Sequence, residues 1–269
     1  AGLLQCVFNR TQSKAETVAA ELKTIIADSP SVLAKQCELI IICVSKDEDV
    51  LEMIGEIKSN LSTDAIIIDT STVSAATAKR AAEQVNEAGG HFLDCPVSGG
   101  VEGAKNGTLA MMVGGEESVL EQARETLSAI AANVMYIGPN GAGQATKAVN
   151  QIMAAGINQA VTEALAFGKA MDLPMDKVVD IVSSGAAGNW FVQHRGKTML
   201  GDSYEPGFKL ALHHKDLTIC KSMIQKLGEN LLPTVEMTLI HYEKLMQQGY
   251  GEEDISALFR LKQQLFETS

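Results

Sequence analysis

A lysine set among small and apolar residues, Lys147 of Gly141-Ala-Gly-Gln-Ala-Thr-Lys147-Ala-Val-Asn150-Gln151, follows a glycine-rich run at residues 92–115, FLDCPVSGGVEGAKNGTLAMMVGG. A lysine ammonium can hand a proton to a carbonyl oxygen as hydride arrives at the carbon. The backbone amides of Ser98, Gly99 and Gly100 can hold a carboxylate beside it, because glycine places no Cβ between the N–H and the anion. That pairing points to reduction of a small oxo-acid. On a helix, positions 147, 150 and 151 stand at i, i+3 and i+4, so Lys147, Asn150 and Gln151 share a face and can converge on one small molecule. The plain alternatives are a solvated lysine and an ordinary turn. The apolar flanks of Lys147 weigh against the first.

The elements that must position these residues change character near residue 140. Before it, short β-branched runs alternate with helical stretches: LQCVF (4–8), ELIIICV (38–44), AIIIDTST (65–72), HFLDCPV (91–97), LAMMVGG (109–115) and VMYIG (134–138). This is a βαβ pattern, and runs apolar on both faces predict a largely parallel sheet covered by helices. After it, residues 143–173 carry no proline and are apolar almost all round. A helix of that length spans about 40–45 Å and should be enclosed by neighbours, a central spine. Helical periodicity returns at 176–184, 215–228, 233–248 and 252–266, with a turn at Pro206-Gly207-Phe208. The reading is two domains, residues 1–140 α/β and residues 141–269 all-helical.

Ser98-Gly99-Gly100 follows a short strand, at the carboxyl end where open α/β sheets place ligands. Thr70-Ser71-Thr72 ends another strand: Ser71 and Ser74 read as caps of the helix starting near Ser74, while Thr72 serves either a cap or a ligand. Asn9-Arg10-Thr11 follows the first visible strand. If that strand is the second of a dinucleotide-binding sheet, this turn meets the adenosine ribose. Arginine there, with no acid nearby, favours the 2′-phosphate of NADP over NAD.

The 269 residues carry a formal net charge of −11 and no dense Lys/Arg block, which argues against nucleic acid or an anionic membrane as partner. No run reaches the roughly 18 apolar residues of a membrane span, and the opening residues lack the basic start of a signal peptide. Cys6, Cys37, Cys43, Cys95 and Cys220 form no CxxC pair and read as buried reduced thiols of a cytoplasmic protein. The histidines lack metal-ligand spacing, so no metal is expected. Surplus apolar helix surface predicts a homodimer or homotetramer.

Three motifs in order, Asp94-Cys-Pro-Val-Ser-Gly-Gly100, Gly141-x-Gly-x-x-x-Lys147-x-x-Asn150, and Lys215-Asp216-Leu217 after Pro206-Gly-Phe208, resemble those of the β-hydroxyacid dehydrogenase family, which includes 3-hydroxyisobutyrate dehydrogenase and tartronate semialdehyde reductase. The resemblance spans essentially the whole chain. It implies a Rossmann-like NAD(P)-binding domain followed by an all-α domain on a long central helix. It further implies Lys147 as proton donor, Ser98, Gly99 and Gly100 at the substrate carboxylate, Lys215 reaching toward the cofactor, and Cys43, Val44 and Thr72 lining the dinucleotide site. By composition alone, Lys215 would pass for a helix-start charge paired with Asp216. Trp190, read as lying in a loop, walls the substrate pocket or anchors a core or interface. Asn150-Gln151 is closer to the tartronate semialdehyde reductase type than the Asn-Asn of many hydroxyisobutyrate dehydrogenases.

The family's first strand and G-x-G-x-x-G phosphate loop are absent from this sequence. The expectation is an amino end shortened by about two dozen residues relative to that fold. Alternatives are a relative of 6-phosphogluconate dehydrogenase, which typically has His-Asn after the lysine and a longer helical domain, an imine reductase, which usually lacks the lysine, and a non-catalytic oligomeric scaffold.

Overall fold

Ile66, Ile67 and Ile68 are 7, 0 and 0% exposed, as expected of a strand covered on both faces. They lie in the interior of a computed structural model that describes residues 2–225, 227–228 and 231–267. The chain divides into two compact units, one up to Lys147 and one from Ala148 onward.

In the first unit the order is β1 (Cys6–Val7), α1 (Gln12–Leu22), β2 (Ile25–Ile26), α2 (Pro30–Gln36), β3 (Leu39–Ile42), α3 (Asp47–Ile57), β4 (Ile66–Asp69), α4 (Ala75–Glu87), β5 (His91–Asp94), β6 (Val97–Ser98), α5 (Gly100–Asn106), β7 (Leu109–Gly114), α6 (Glu117–Ser128) and β8 (Ala131–Gly138). Strands β3, β4 and β5 are parallel neighbours in register, with Ile42, Asp69 and Asp94 level at their carboxyl ends. Side-chain alternation then builds two cores. Ile67 joins Ile40, Ile42 and Phe92 against Val50, Ile54, Ala78 and Ala82 on one face. Ile66 and Ile68 join Leu93, Val113, Leu120 and Leu127 on the other.

The largely parallel sheet holds only in part. β7 runs antiparallel to both β5 and β6, whereas β8 is parallel to β7. The connections explain this. A parallel return needs a crossover of a dozen or more residues, which α6 supplies between β7 and β8 but the seven-residue α5 does not between β6 and β7. β1 is shorter than predicted and pairs in parallel with β2, a two-residue strand whose exposed Ile25 and Ile26 show no alternation to announce it.

Helix α7 (Ala142–Ala170) begins in the first unit and continues in the second, followed by α8 (Met175–Ser184), α9 (Trp190–Leu200), α10 (Leu210–Gln225), α11 (Pro233–Gln247) and α12 (Leu258–Gln263). The predicted 252–266 helix is shortened to α12, its start being taken by 3-10 turns at Tyr250–Glu252 and Ile255–Ala257. Position 226 of the predicted 215–228 helix lies outside the described residues, and α10 starts five residues earlier than predicted. α9 was not predicted, because its polar residues blur the period. The core of the second unit gathers Val161, Leu165, Phe191, Met199, Leu217, Tyr242 and Phe259. α7 is not enclosed on every side, since Val149, Met153 and Phe167 are exposed. An all-apolar helix composition carries no information about which faces find neighbours within one chain.

Candidate functional site

The start of α7 is bolted to the sheet by a buried carboxylate. Asp94, fully buried at the end of β5, accepts from the amides of Gly141 (2.8 Å) and Gln144 (3.0 Å), so both its oxygens satisfy helix-start N–H groups that otherwise lack partners. Burial pushes its pKa up, and those two amides oppose the shift. Gly143 sits so close to the Asp94 and Met112 carbonyls that a Cβ would overlap both, and a Cβ on Gly114 would come within 2.6 Å of Asp94 Oδ1. Gln144 extends the fastening to the end of β4: its Nε2 donates to the Ser71 carbonyl at 2.8 Å and its Oε1 accepts from Val73 N at 3.1 Å.

One turn further along this fixed helix, Lys147 is 7% exposed and its Nζ donates to the Val97 carbonyl at 2.8 Å. The ammonium is therefore anchored on the carbonyl of the residue just before Ser98. The Ser98-Gly99-Gly100 segment is a strand end running into a helix rather than a simple turn: Ser98 closes β6, Gly99 caps α5 and Gly100 begins it. Gly99 and Gly100 have φ of 135° and 61°, two successive positive values that a residue with a Cβ adopts only under strain. Ser98 is half-buried and both glycines are exposed.

Loss of the Asp94 side chain would strand two buried helix-start donors. Asp94→Ala is expected to cost about 2 kcal/mol, the upper end for a cap, and to lower activity by loosening the helix that carries Lys147. A urea titration paired with turnover measures both. An unchanged midpoint would show that the carboxylate does not secure the helix.

Beside Asp94, the Asp69 side chain is also fully buried. Its Oδ1 accepts from Ser71 N at 3.0 Å, while Oδ2 has no hydrogen-bond partner among the described residues. Burial raises its pKa to about 7; hydrogen bonds from Ser71 oppose the shift, and the charges of Asp94 and Asp47 add to it. Ser71 does not cap α4. Its Oγ accepts instead from Val44 N at 2.9 Å and ties the end of β4 to the loop after β3. Ser74 caps α4 as expected, accepting from Thr77 N at 3.1 Å.

The candidate cofactor residues of the first unit lie past the carboxyl ends of β1, β3 and β4. Cys43 is exposed, and Val44 and Thr72 are half-buried. The expectation of buried thiols thus fails for Cys43, which lies just beyond the last paired residue of β3, outside the sheet's cover. Asn9 Oδ1 accepts from Thr11 N at 2.9 Å and shapes an exposed turn from which Arg10 projects. An acid is nearby after all. Arg10 Nη1 pairs with Asp49 Oδ1 of α3 at 3.1 Å, a partner 39 positions away that the local sequence could not reveal. An exposed guanidinium at Arg10 for a phosphate, with side-chain polar groups at Asn9 and Thr11 for a ribose, suits a nicotinamide dinucleotide.

In the second unit, Asn150 Nδ2 donates to Gln151 Oε1 (2.7 Å) and Gln151 Nε2 to Asp216 Oδ2 (2.6 Å). Lys215 pairs with Asp216 Oδ1 at 2.8 Å, the arrangement its composition suggested. Gln151 is buried, and its amide accepts from Asn150 and donates to Asp216. Trp190 starts α9 and is 55% exposed, which corrects both the loop reading and the core-anchor reading; its ring stacks on His194, centroids 4.3 Å apart. The sequence alone gives Gln144 and Asp69 no role, Asp94 only a place at the head of a motif, and Asp216 only the pairing with Lys215. The available signal was a lone aspartate closing each of two buried apolar runs. Among the described residues no cluster of three or more His, Cys, Asp or Glu could hold a metal, and no helix is long and apolar enough to cross a membrane.

The sequence profile for the NAD binding domain of 6-phosphogluconate dehydrogenase matches residues 1–138, and that for the NAD-binding region of NADP-dependent 3-hydroxyisobutyrate dehydrogenase matches residues 141–262. An uncharacterized oxidoreductase of Shewanella frigidimarina is 34% identical, over 95% of this chain and 89% of its own. The chain belongs to the β-hydroxyacid dehydrogenase family. Its dinucleotide half is common ground with 6-phosphogluconate dehydrogenase, and the match of the helical half sets the two apart. Escherichia coli 2-hydroxy-3-oxopropionate reductase is 38% identical, over 71% of this chain and 65% of its own. The solved Mycobacterium tuberculosis 3-hydroxyisobutyrate dehydrogenase with L-serine superposes with a TM-score of 0.85 at 28% identity, over 94% of this chain and 89% of that one. As a member of this family the protein is an NAD(P)-dependent oxidoreductase acting on the CH–OH group of hydroxy acids, which displaces the scaffold reading.

Proposed function

We propose that the protein interconverts a small hydroxy acid with its semialdehyde or oxo-acid, of the 3-hydroxyisobutyrate, tartronate semialdehyde, glyoxylate or succinic semialdehyde type, with Lys147 as proton donor and acceptor. The observation that carries this is the buried Lys147 ammonium, held 2.8 Å from the Val97 carbonyl beside the Ser98-Gly99-Gly100 segment. A bound nicotinamide dinucleotide supplies or accepts the hydride. The chain's part is to hold the substrate carboxylate on the amides and hydroxyl of Ser98, Gly99 and Gly100, and to hold a proton at Lys147 Nζ for the alkoxide oxygen. Asn150 offers an amide one turn further along the same helix, with Gln151 and Asp216 orienting it. Lys215 toward the cofactor and Trp190 as a substrate wall complete the assignment. The exposed Val149, Met153 and Phe167 support self-association as a homodimer or homotetramer.

NADP is the cofactor this reading favours, and Arg10 is the group that supports it. Its pairing with Asp49 sharpens the requirement, since a 2′-phosphate must share or displace that carboxylate. An exposed pair of this kind is worth only about 1 kcal/mol or less, against about 1.5–3 for a charge-assisted bond to phosphate. Arg10→Ala is expected to lower the NADPH over NADH preference about tenfold or more, read as the ratio of kcat/KM values. An unchanged ratio would take Arg10 out of cofactor selection. The function itself is tested by the absorbance of NADPH with succinic, tartronic and methylmalonic semialdehydes and with glyoxylate. Oxidation with at least one supports the reading; no oxidation with any, in a protein that binds the dinucleotide, overturns it.

A further inference from the structure

The first unit contains a thiol pair that the proposed chemistry does not use. Cys6 Sγ and Cys37 Sγ stand 3.5 Å apart, though 31 residues separate them in the chain. Cys6 is the first residue of β1 and is 6% exposed; Cys37 follows the last turn of α2, just ahead of β3, and is half-buried. The other cysteines are differently placed: Cys95 and Cys220 are buried, and Cys43 is exposed. A disulfide requires sulfurs about 2.05 Å apart on side chains that already point at each other. Here the side chains meet that condition, and closing the bond asks for a combined sulfur movement of about 1.5 Å.

We propose that Cys6 and Cys37 form a redox site, a dithiol that converts reversibly to a disulfide by exchange with a low-molecular-weight disulfide. The reaction runs in two displacements. Cys37, the reachable thiol, attacks one sulfur of the small disulfide as its thiolate, forming a mixed disulfide and expelling one small thiolate. Cys6 then attacks the Cys37 sulfur, the protein S–S bond forms, and the second small thiolate leaves. The protons lost by the two cysteines are taken up by the two leaving thiolates, and the two electrons reside in the reduced small thiols. Burial and the neighbouring Cys37 push the Cys6 thiol up to about 11, which makes it a poor first attacker. As the second attacker it is helped by proximity, because the mixed disulfide is held next to it at a high effective concentration. The bond would pin β1 to the junction between α2 and β3, three residues ahead of Asn9 and its turn. Its formation does not depend on how the cofactor turn is read.

The test is oxidation of the folded protein with glutathione disulfide, then alkylation, digestion and mass mapping. The expected result is a linked peptide pair joining Cys6 to Cys37, about 2 Da lighter than the two free peptides together and separated again by dithiothreitol. In C6S the link is lost and Cys37 retains a glutathione adduct; in C37S the link is lost and Cys6 stays alkylatable. Wild-type protein in which exposed Cys43 takes up glutathione while Cys6 and Cys37 both remain alkylatable would overturn the proposal. So would a stable Cys37 adduct beside an unreacted Cys6.

Discussion

Replacing Lys147 by alanine is expected to lower kcat by about 10²- to 10⁴-fold, the contribution of a positioned general acid, while dinucleotide affinity stays within about twofold. The size follows from what is lost. Without the ammonium, the alkoxide formed by hydride arrival must find its proton in water, at a barrier cost of about 3–5 kcal/mol. Dinucleotide affinity is spared because the residues assigned to the cofactor lie past β1, β3 and β4 and on Lys215. The Val97 carbonyl also loses its 2.8 Å donor, worth about 1 kcal/mol of stability, which is too little to unfold the domain and visible in a urea titration. Lys147→Arg separates charge from proton transfer, because arginine keeps the cation but does not give up its proton near neutral pH. Stopped-flow turnover beside fluorescence titration of NADPH decides the matter, and unchanged turnover in Lys147→Ala would remove the proton donor.

Asp69→Asn is expected to stabilise the protein at pH 8 and to leave it nearly unchanged toward pH 4. The native pKa is raised to about 7, whereas the unfolded chain's aspartate titrates near about 3.9. Between those values the native protein holds a proton that the unfolded chain has lost, so the native state binds more protons and stability falls as pH rises through this window. Above pH 7 the full penalty applies, at most about 4 kcal/mol for a shift of that size. Asparagine avoids the buried charge and keeps an oxygen for the Ser71 amide. Its NH₂ group meets the place where Asp69 Oδ2 has no hydrogen-bond partner among the described residues, which offsets about 1–2 kcal/mol. A net gain of about 2 kcal/mol at pH 8 that fades on acidification is the expected pattern in urea titrations. An equal effect at both pH values would mean the carboxyl does not titrate in that window.

How the strands pair was less legible than where they lie. The runs around Ile40, Ile67 and Phe92 announce buried strands by composition alone. The reversal at β7 depends on a crossover length that becomes clear only when α5 is seen to stop at Asn106. The site shows the same division. Lys147 and the Ser98-Gly99-Gly100 segment are visible as residue types in an unusual setting. Gln151 shares a helix face with Lys147 by spacing, but that its amide donates to Asp216, 65 positions away, could not be read from the sequence. Of the readings of Trp190 as pocket wall, core anchor or interface anchor, the core anchor fails, because the apolar stripe of α9 runs through Phe191, Val192 and Met199 instead.

From its residues alone this protein is an α/β unit followed by helices, with a lysine and a glycine-lined segment suited to hydroxy-acid chemistry, since periodicity and residue chemistry are local properties. Tertiary structure alone decided that Asp94 and Gln144 fasten the helix bearing Lys147, that Asp69 is buried in the sheet, and that Arg10 already faces Asp49. Each of these depends on distances between residues far apart in the chain, and hydrogen bonding, burial and charge act through space rather than along the backbone.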